Sequence, residues 1–300
     1  MRVVIFLFLS LLSGKSFSQY SYFPFQLYNY DYSLVNPAYT DNYIHKATII
    51  GKTYGFPYSF ENDNSLQFLF SYDLFLKNQN IGAGAMLYRD KFGSQTNLYF
   101  SIPIKYRFVI NKDFKVSAAV RSGIHRQTID FSQYTAVTPE DPILNLGNET
   151  QYRPYSDLAV HFNFKNIHGG ISLIDAISGK FDFGLGNLVA KKNPAYYSIL
   201  LGTGFKLNSS LKSEHSVLAI KKNRFLLDLN NTLIIKDLIV FGISVQSESR
   251  FSNPNNADRF HLRFNGGISL RNRLKLICTF YETRVQRGGF RGELMLQGRL

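Results

Sequence analysis

The chain holds one cysteine, Cys278, and no tryptophan in its 300 residues. A single cysteine excludes an internal disulfide and any cysteine-based metal cluster. After residue 18 no apolar run approaches the roughly 20 residues that a membrane helix needs. If the chain crosses a membrane, it crosses as a barrel. Also missing are a Gly-x-Ser-x-Gly elbow, a phosphate-cradling glycine loop and a His-Glu-x-x-His pair. The six histidines are scattered. The closest pair, His161 and His168, is separated by a turn, and both read as polar lumen or turn residues rather than ligands. No catalytic, cofactor or metal residues are therefore expected.

What is plentiful is aromatic and basic. There are 27 Phe and 19 Tyr, with 34 Lys and Arg against 21 Asp and Glu. Phe against lipid and Tyr at the water boundary suit a membrane barrel. The cations are spread over many segments, which argues for a basic lumen and basic turns and against nucleic acid as a partner.

Residues 1–18 read as a cleaved signal peptide. Arg2 is followed by the apolar Val3 to Leu12, and Ser16-Phe17-Ser18 supplies small residues at the cleavage positions. An aromatic-rich periplasmic segment, 19–44, comes next, and 45–300 forms the barrel.

The barrel is announced by a two-residue period. In Asn97 to Asn111 one parity is Leu98, Phe100, Ile102, Ile104, Tyr106, Phe108 and Ile110, and the other is mostly polar and basic. Alternate side chains of a strand face opposite ways, so one face is apolar throughout. Pro103, which cannot donate to a ladder, predicts a local irregularity. The same period predicts about fourteen strands, near 45–56, 64–76, 80–89, 96–111, 114–127, 155–165, 167–174, 195–207, 213–221, 224–235, 238–246, 258–270, 273–284 and 291–300. Connections after even strands are short. Those after odd strands are mostly long, with Lys222-Asn223 as the exception. Short turns at one rim and long loops at the other characterise outer-membrane barrels. Lipid offers no hydrogen bonds, so such a sheet must close. The fold expected is all-β, a single transmembrane antiparallel barrel set in outer-membrane lipid. Lys105, Arg107, Arg121, Arg259 and Arg263 are expected to line its lumen. A passive or ligand-specific pore with that basic lumen is the alternative function, and a barrel hydrolase a more distant one. Asp73 and Asp228 are expected to pair with Lys or Arg, and Cys278 to face lipid.

Ahead of the first strand runs Phe25-Gln-Leu-Tyr28-Asn-Tyr-Asp-Tyr-Ser-Leu-Val35-Asn36-Pro37-Ala38-Tyr39. Pro37 biases Asn36 away from helix, and Asn36 can cap the turn. This stretch, with the export signal, the length and the strand rhythm, resembles the PorP/SprF family of type IX secretion system membrane proteins. Asp141-Pro142 resembles a weaker family feature, whereas Asp41 stands where a Gly is usual and Leu300 where the last residue is usually aromatic. The resemblance implies a non-enzymatic fourteen-stranded barrel without cofactors. It also implies periplasmic ring components of that machine and a secreted adhesin as partners, with roles in protein secretion and gliding in Bacteroidetes-type bacteria. Tyr28, Asn36, Pro37, Ala38 and Tyr39 are the expected partner-binding residues, docked at the periplasmic rim, and a purely structural entry turn that plugs the periplasmic mouth is the alternative.

Overall fold

The computed structural model describes residues 25–40, 43–56, 66–133, 147–181, 195–222, 225–249, 259–270, 273–283 and 289–299. The expected signal peptide, Asp141-Pro142 and Leu300 lie outside the described residues. Fourteen strands follow one another: β1 His45–Phe56, β2 Leu66–Leu76, β3 Ile81–Phe92, β4 Gln95–Val109, β5 Phe114–Asp130, β6 Asn148–Phe164, β7 Ile167–Ser178, β8 Tyr196–Lys206, β9 Leu211–Lys221, β10 Phe225–Ile235, β11 Ile239–Ser249, β12 Arg259–Leu270, β13 Leu274–Thr283 and β14 Gly289–Arg299. Each pairs antiparallel with its chain neighbours, and β1 pairs with β14, so the sheet closes into a barrel. No helix among the described residues is long and apolar enough to cross a membrane, so any crossing falls to the strands.

The wall is inside out relative to a soluble barrel. On β4, Ile104 is 60% exposed while its neighbours Pro103 and Lys105 are buried. Phe100, Ile102, Tyr106 and Phe108 share its outward face. Cys278 stands on the outward parity of β13, half-buried, its thiol donating to Gly266 O. At Pro103 the β3–β4 pairing lapses for two positions and then resumes in the same register, from Ala83–Ile104 to Met86–Ser101.

Two departures from the expected rhythm have local causes. The β3–β4 connection is a second tight turn, Gly93-Ser94, with Gly93 at φ +54°, the position that glycine fills in a type II′ hairpin. Strand β6 starts at Asn148, well before the expected 155, and pairs with β5 out to Asp130–Asn148. Its polar start and Pro154 read as loop. Pro154 is tolerated because a residue's N and C=O point to the same neighbour. Pro154 O accepts from Gly179 N–H at 3.0 Å, just beyond the end of β7, so the missing donor falls where the ladder stops.

The inward face carries an apolar row that the alternation does not announce. Ile277 sits opposite Met295, Met295 opposite Ile50, Ile50 opposite Leu69, Leu69 opposite Tyr88 and Tyr88 opposite Tyr99. All are buried. A water-filled lumen gives such a row nothing to pack against.

Candidate functional site: the N-terminal segment in the lumen

What packs against the row is the chain's own N-terminal segment. Two 3₁₀ turns, Gln26–Tyr30 and Tyr32–Leu34, lead into Asn36-Pro37-Ala38-Tyr39, and the whole stretch lies inside the barrel. The sequence placed this segment at the rim, whereas here it fills the lumen down to the short-turn end. Phe25, Leu27 and Tyr30 join the apolar row, with the Phe25 ring edge-on to Tyr88 at 5.7 Å. Tyr28 and Val35 join a second cluster with Ile174, Tyr196, Leu200, Leu218, Ile220 and Leu226.

The polar contacts are equally specific. Glu293 Oε2 accepts the backbone N–H groups of Gln26 and Leu27 at 2.6 and 3.1 Å. These are donors at the start of a helical turn, which have no partner within it. Asn230 Nδ2 donates to the Tyr28 hydroxyl at 2.6 Å. Asp31 accepts from Lys46 Nζ at 2.6 Å and from Thr48 Oγ1 at 2.7 Å. Burial alone would raise the Asp31 carboxyl. The Lys46 ammonium and the hydrogen bonds from Lys46 and Ser33 together offset this and hold it below the ordinary 3.8. Gln297 and Arg299 donate to Tyr30 O, Arg121 to Leu34 O and Ser172 to Val35 O.

The Asn-Pro-Ala-Tyr stretch is a β-turn with proline at its second position. Tyr39 N–H donates to Asn36 O at 2.9 Å, and Ala38 N–H donates to Asn36 Oδ1 at 2.9 Å. Asn36 Nδ2 reaches across to Val160 O on β6 at 3.1 Å. Glycine at 170 makes room for this, since a Cβ there would stand 2.3 Å from that same nitrogen. Pro37 and Ala38 are buried, Ala38 against Ala119 and Ala159. Tyr39 is half-buried, stacked edge-on to Tyr32 and His161 at 5.3 and 5.1 Å. His161 and His168 thus do meet, as part of an aromatic seat for Tyr39.

The expected lumen cations are drawn into pairs. Lys105 donates to Asp73 at 2.9 Å and to Tyr39 O at 3.1 Å. Arg121 holds Asp157 at 2.7 Å, and Arg263 bonds both Asp228 and Gln26. Arg107, buried near the short-turn rim, lies over the Phe75 ring at 4.1 Å. Arg259 opens β12, and its side chain lies outside the described residues. Sequence reasoning missed Asp31, Glu293 and Asp157. Their signal was an acid in an aromatic run (Asp31) and acids on inward parities (Glu293, Asp157). Among the described residues no group of three or more His, Cys, Asp or Glu could hold a metal ion. The arrangement seats the segment against the lumen wall.

A family model described as type IX secretion system membrane protein PorP/SprF matches residues 16–280. No curated protein matches the chain. Among solved structures, the Ralstonia pickettii toluene transporter TbuX aligns at TM-score 0.57 with 8% identity, covering 91% of this chain and 93% of that one. The Pseudomonas putida toluene transporter TodX aligns at 0.51 with 9% identity, covering 94% and 95%. The Acinetobacter baumannii outer membrane protein Omp33 aligns at 0.51 with 8% identity, covering 86% and 98%. At such identities the likeness is one of fold, the outer-membrane barrel.

Proposed function

Because the chain belongs to the PorP/SprF family of type IX secretion system membrane proteins, we propose that it is a closed, non-enzymatic barrel that supports secretion or surface attachment of large cell-surface proteins. Its site is the outer membrane. Gliding adhesins are the cargo class that the family resemblance implies, and the periplasmic ring of the machine is the implied partner. The observation that carries the reading is the lumen filled by residues 25–40, with Glu293, Asp31, Asn36 and Tyr28 each bonded between segment and wall. A barrel so filled serves secretion as a membrane-anchored partner and not as the conduit. Asn36, Pro37 and Ala38 set the turn, Tyr28 anchors the segment deeper through Asn230, and Tyr39, half-buried at the short-turn end, is the part of it that we assign to the periplasmic side.

The competing reading is a pore along the basic lumen. Among the described residues Lys105, Arg121 and Arg263 are bonded to acids and to the segment, so an anion following them would have to displace those pairs. Steady single-channel conductance of the intact protein in planar bilayers would overturn the closed reading. The secretion role is tested in a Tyr39→Ala strain by measuring barrel level and surface adhesin together. A normal barrel with lost adhesin supports a partner surface at Tyr39. Parallel loss of both assigns the residue to assembly alone, and normal levels of both remove it from either role.

A further inference from the structure

On the outer wall of β7–β11 lies a groove of about 960 Å³, set towards the short-turn rim. Its apolar sides include Leu201, Phe205, Leu229 and Phe241. Across its floor runs a polar row in register: Thr203 opposite His215, and His215 opposite Asn231. All three stand on outward parities, with exposed apolar residues both deeper, as Leu201 and Leu229, and shallower, as Phe205 and Ile235. Polar groups facing hydrocarbon are costly unless bonded. Elsewhere on the outer wall such groups satisfy one another, as Ser122 with Ser156 at 2.9 Å and His45 with Tyr72 at 2.7 Å. Here His215 meets Ser213 at 2.9 Å, but Thr203 Oγ1, shielded from solvent, has no hydrogen-bond partner among the described residues. The Asn231 side chain is exposed in the groove.

The rim beneath is basic. Lys165 edges the groove, and its turn lies beside β8, Gly204 N–H donating to Asn166 O at 3.2 Å. Thr203 stands opposite Ile167, two residues from Lys165 and about 7 Å along the strand from that turn. A cation at the surface, hydrogen-bonding groups a short way in and an apolar trough beyond repeat the order of phosphate, glycerol esters and acyl chain.

We propose that this groove binds one anionic phospholipid of the periplasmic leaflet. The phosphate meets Lys165, the ester region meets Thr203, His215 and Asn231, and an acyl chain lies along Leu201 and Leu229. The test is native mass spectrometry of the full barrel in detergent, exchanged with phosphatidylglycerol or with phosphatidylcholine. One phosphatidylglycerol is expected to be retained, about fivefold over phosphatidylcholine, and Lys165→Gln and Asn231→Leu are each expected to lower that retention about fivefold. Ser122→Ala, on another wall, should leave it unchanged. Lys165 lies in an exposed turn, so that variant keeps the test decisive if Asn231→Leu does not fold. Equal retention of both lipids, or unchanged retention in both variants, overturns the proposal. A dimer that Asn231→Leu dissociates also overturns it, in favour of a second copy as the occupant.

Discussion

The wall and the plug of this barrel are stabilised in different ways. The wall is a closed ladder of backbone pairs, each strand bonded on both sides. The segment 25–40 shares no ladder with it and is held by side chains, a few backbone N–H and C=O groups, and apolar packing. A ladder in lipid cannot be given up piecemeal, because each freed backbone group costs several kcal/mol. The plug can be released with the ladder intact. The two parts should therefore respond to different perturbations.

The largest effect is expected from Ile104→Arg, which sets a charge against lipid at about 2–4 kcal/mol near the midplane. The wall should fail and take the plug with it, seen as loss of the heat-resistant band. Asp31→Ala should do the reverse. It takes the closer acid from buried Lys46, with Asp73 3.4 Å away and Ser33 beside it, and should weaken plug docking by about 2 kcal/mol. The heat-resistant band should persist while channel openings appear in planar bilayers. If Asp31→Ala also abolishes the band, the plug is part of the wall's stability and the distinction fails.

Acid should sharpen the same contrast. The docked Asp31 carboxyl lies below its ordinary 3.8, so its contribution is full above that pH and is lost as the pH falls through the docked value. Openings should increase below pH 3.8 in the intact protein, and Asp31→Ala should flatten that dependence. The smallest effect is expected from Tyr28→Phe. It removes the hydroxyl that Asn230 bonds, and should weaken docking by about 1 kcal/mol, measured as faster exchange of the plug amides.

These differences also explain what could be read from the residues. Lipid demands an unbroken apolar parity, so Phe100 to Phe108 gave away both strand and facing. The inward face obeys no such rule. Lys46, Thr48 and Ile50 alternate with outward residues on one strand, and Ile50 makes sense only once Leu27 and its neighbours are inside. The plug itself has no period to detect. Only its turn was legible, through Pro37 and the capping Asn36. Ser101 and Asn265, which a watery lumen would leave tolerant of arginine, are buried in a packed interior and should reject it. Asp73 and Asp228 do pair with cations, as the excess of Lys and Arg on inward parities suggested.

The plug touches both strands of the closing seam: Lys46 and Thr48 on β1, Glu293 and Gln297 on β14. Gln26 and Glu293 are 267 positions apart in the chain, among the longest separations the molecule could bridge. Contacts of that span form late, because the loop between them must be ordered first. The seat that holds Asp31 against β1 and Gln26 against β14 is therefore complete only once the last strand has met the first. Docking of the segment becomes a record, kept within the molecule, that insertion has run to completion, and a chain stalled one strand short would carry its aromatic N-terminus unshielded.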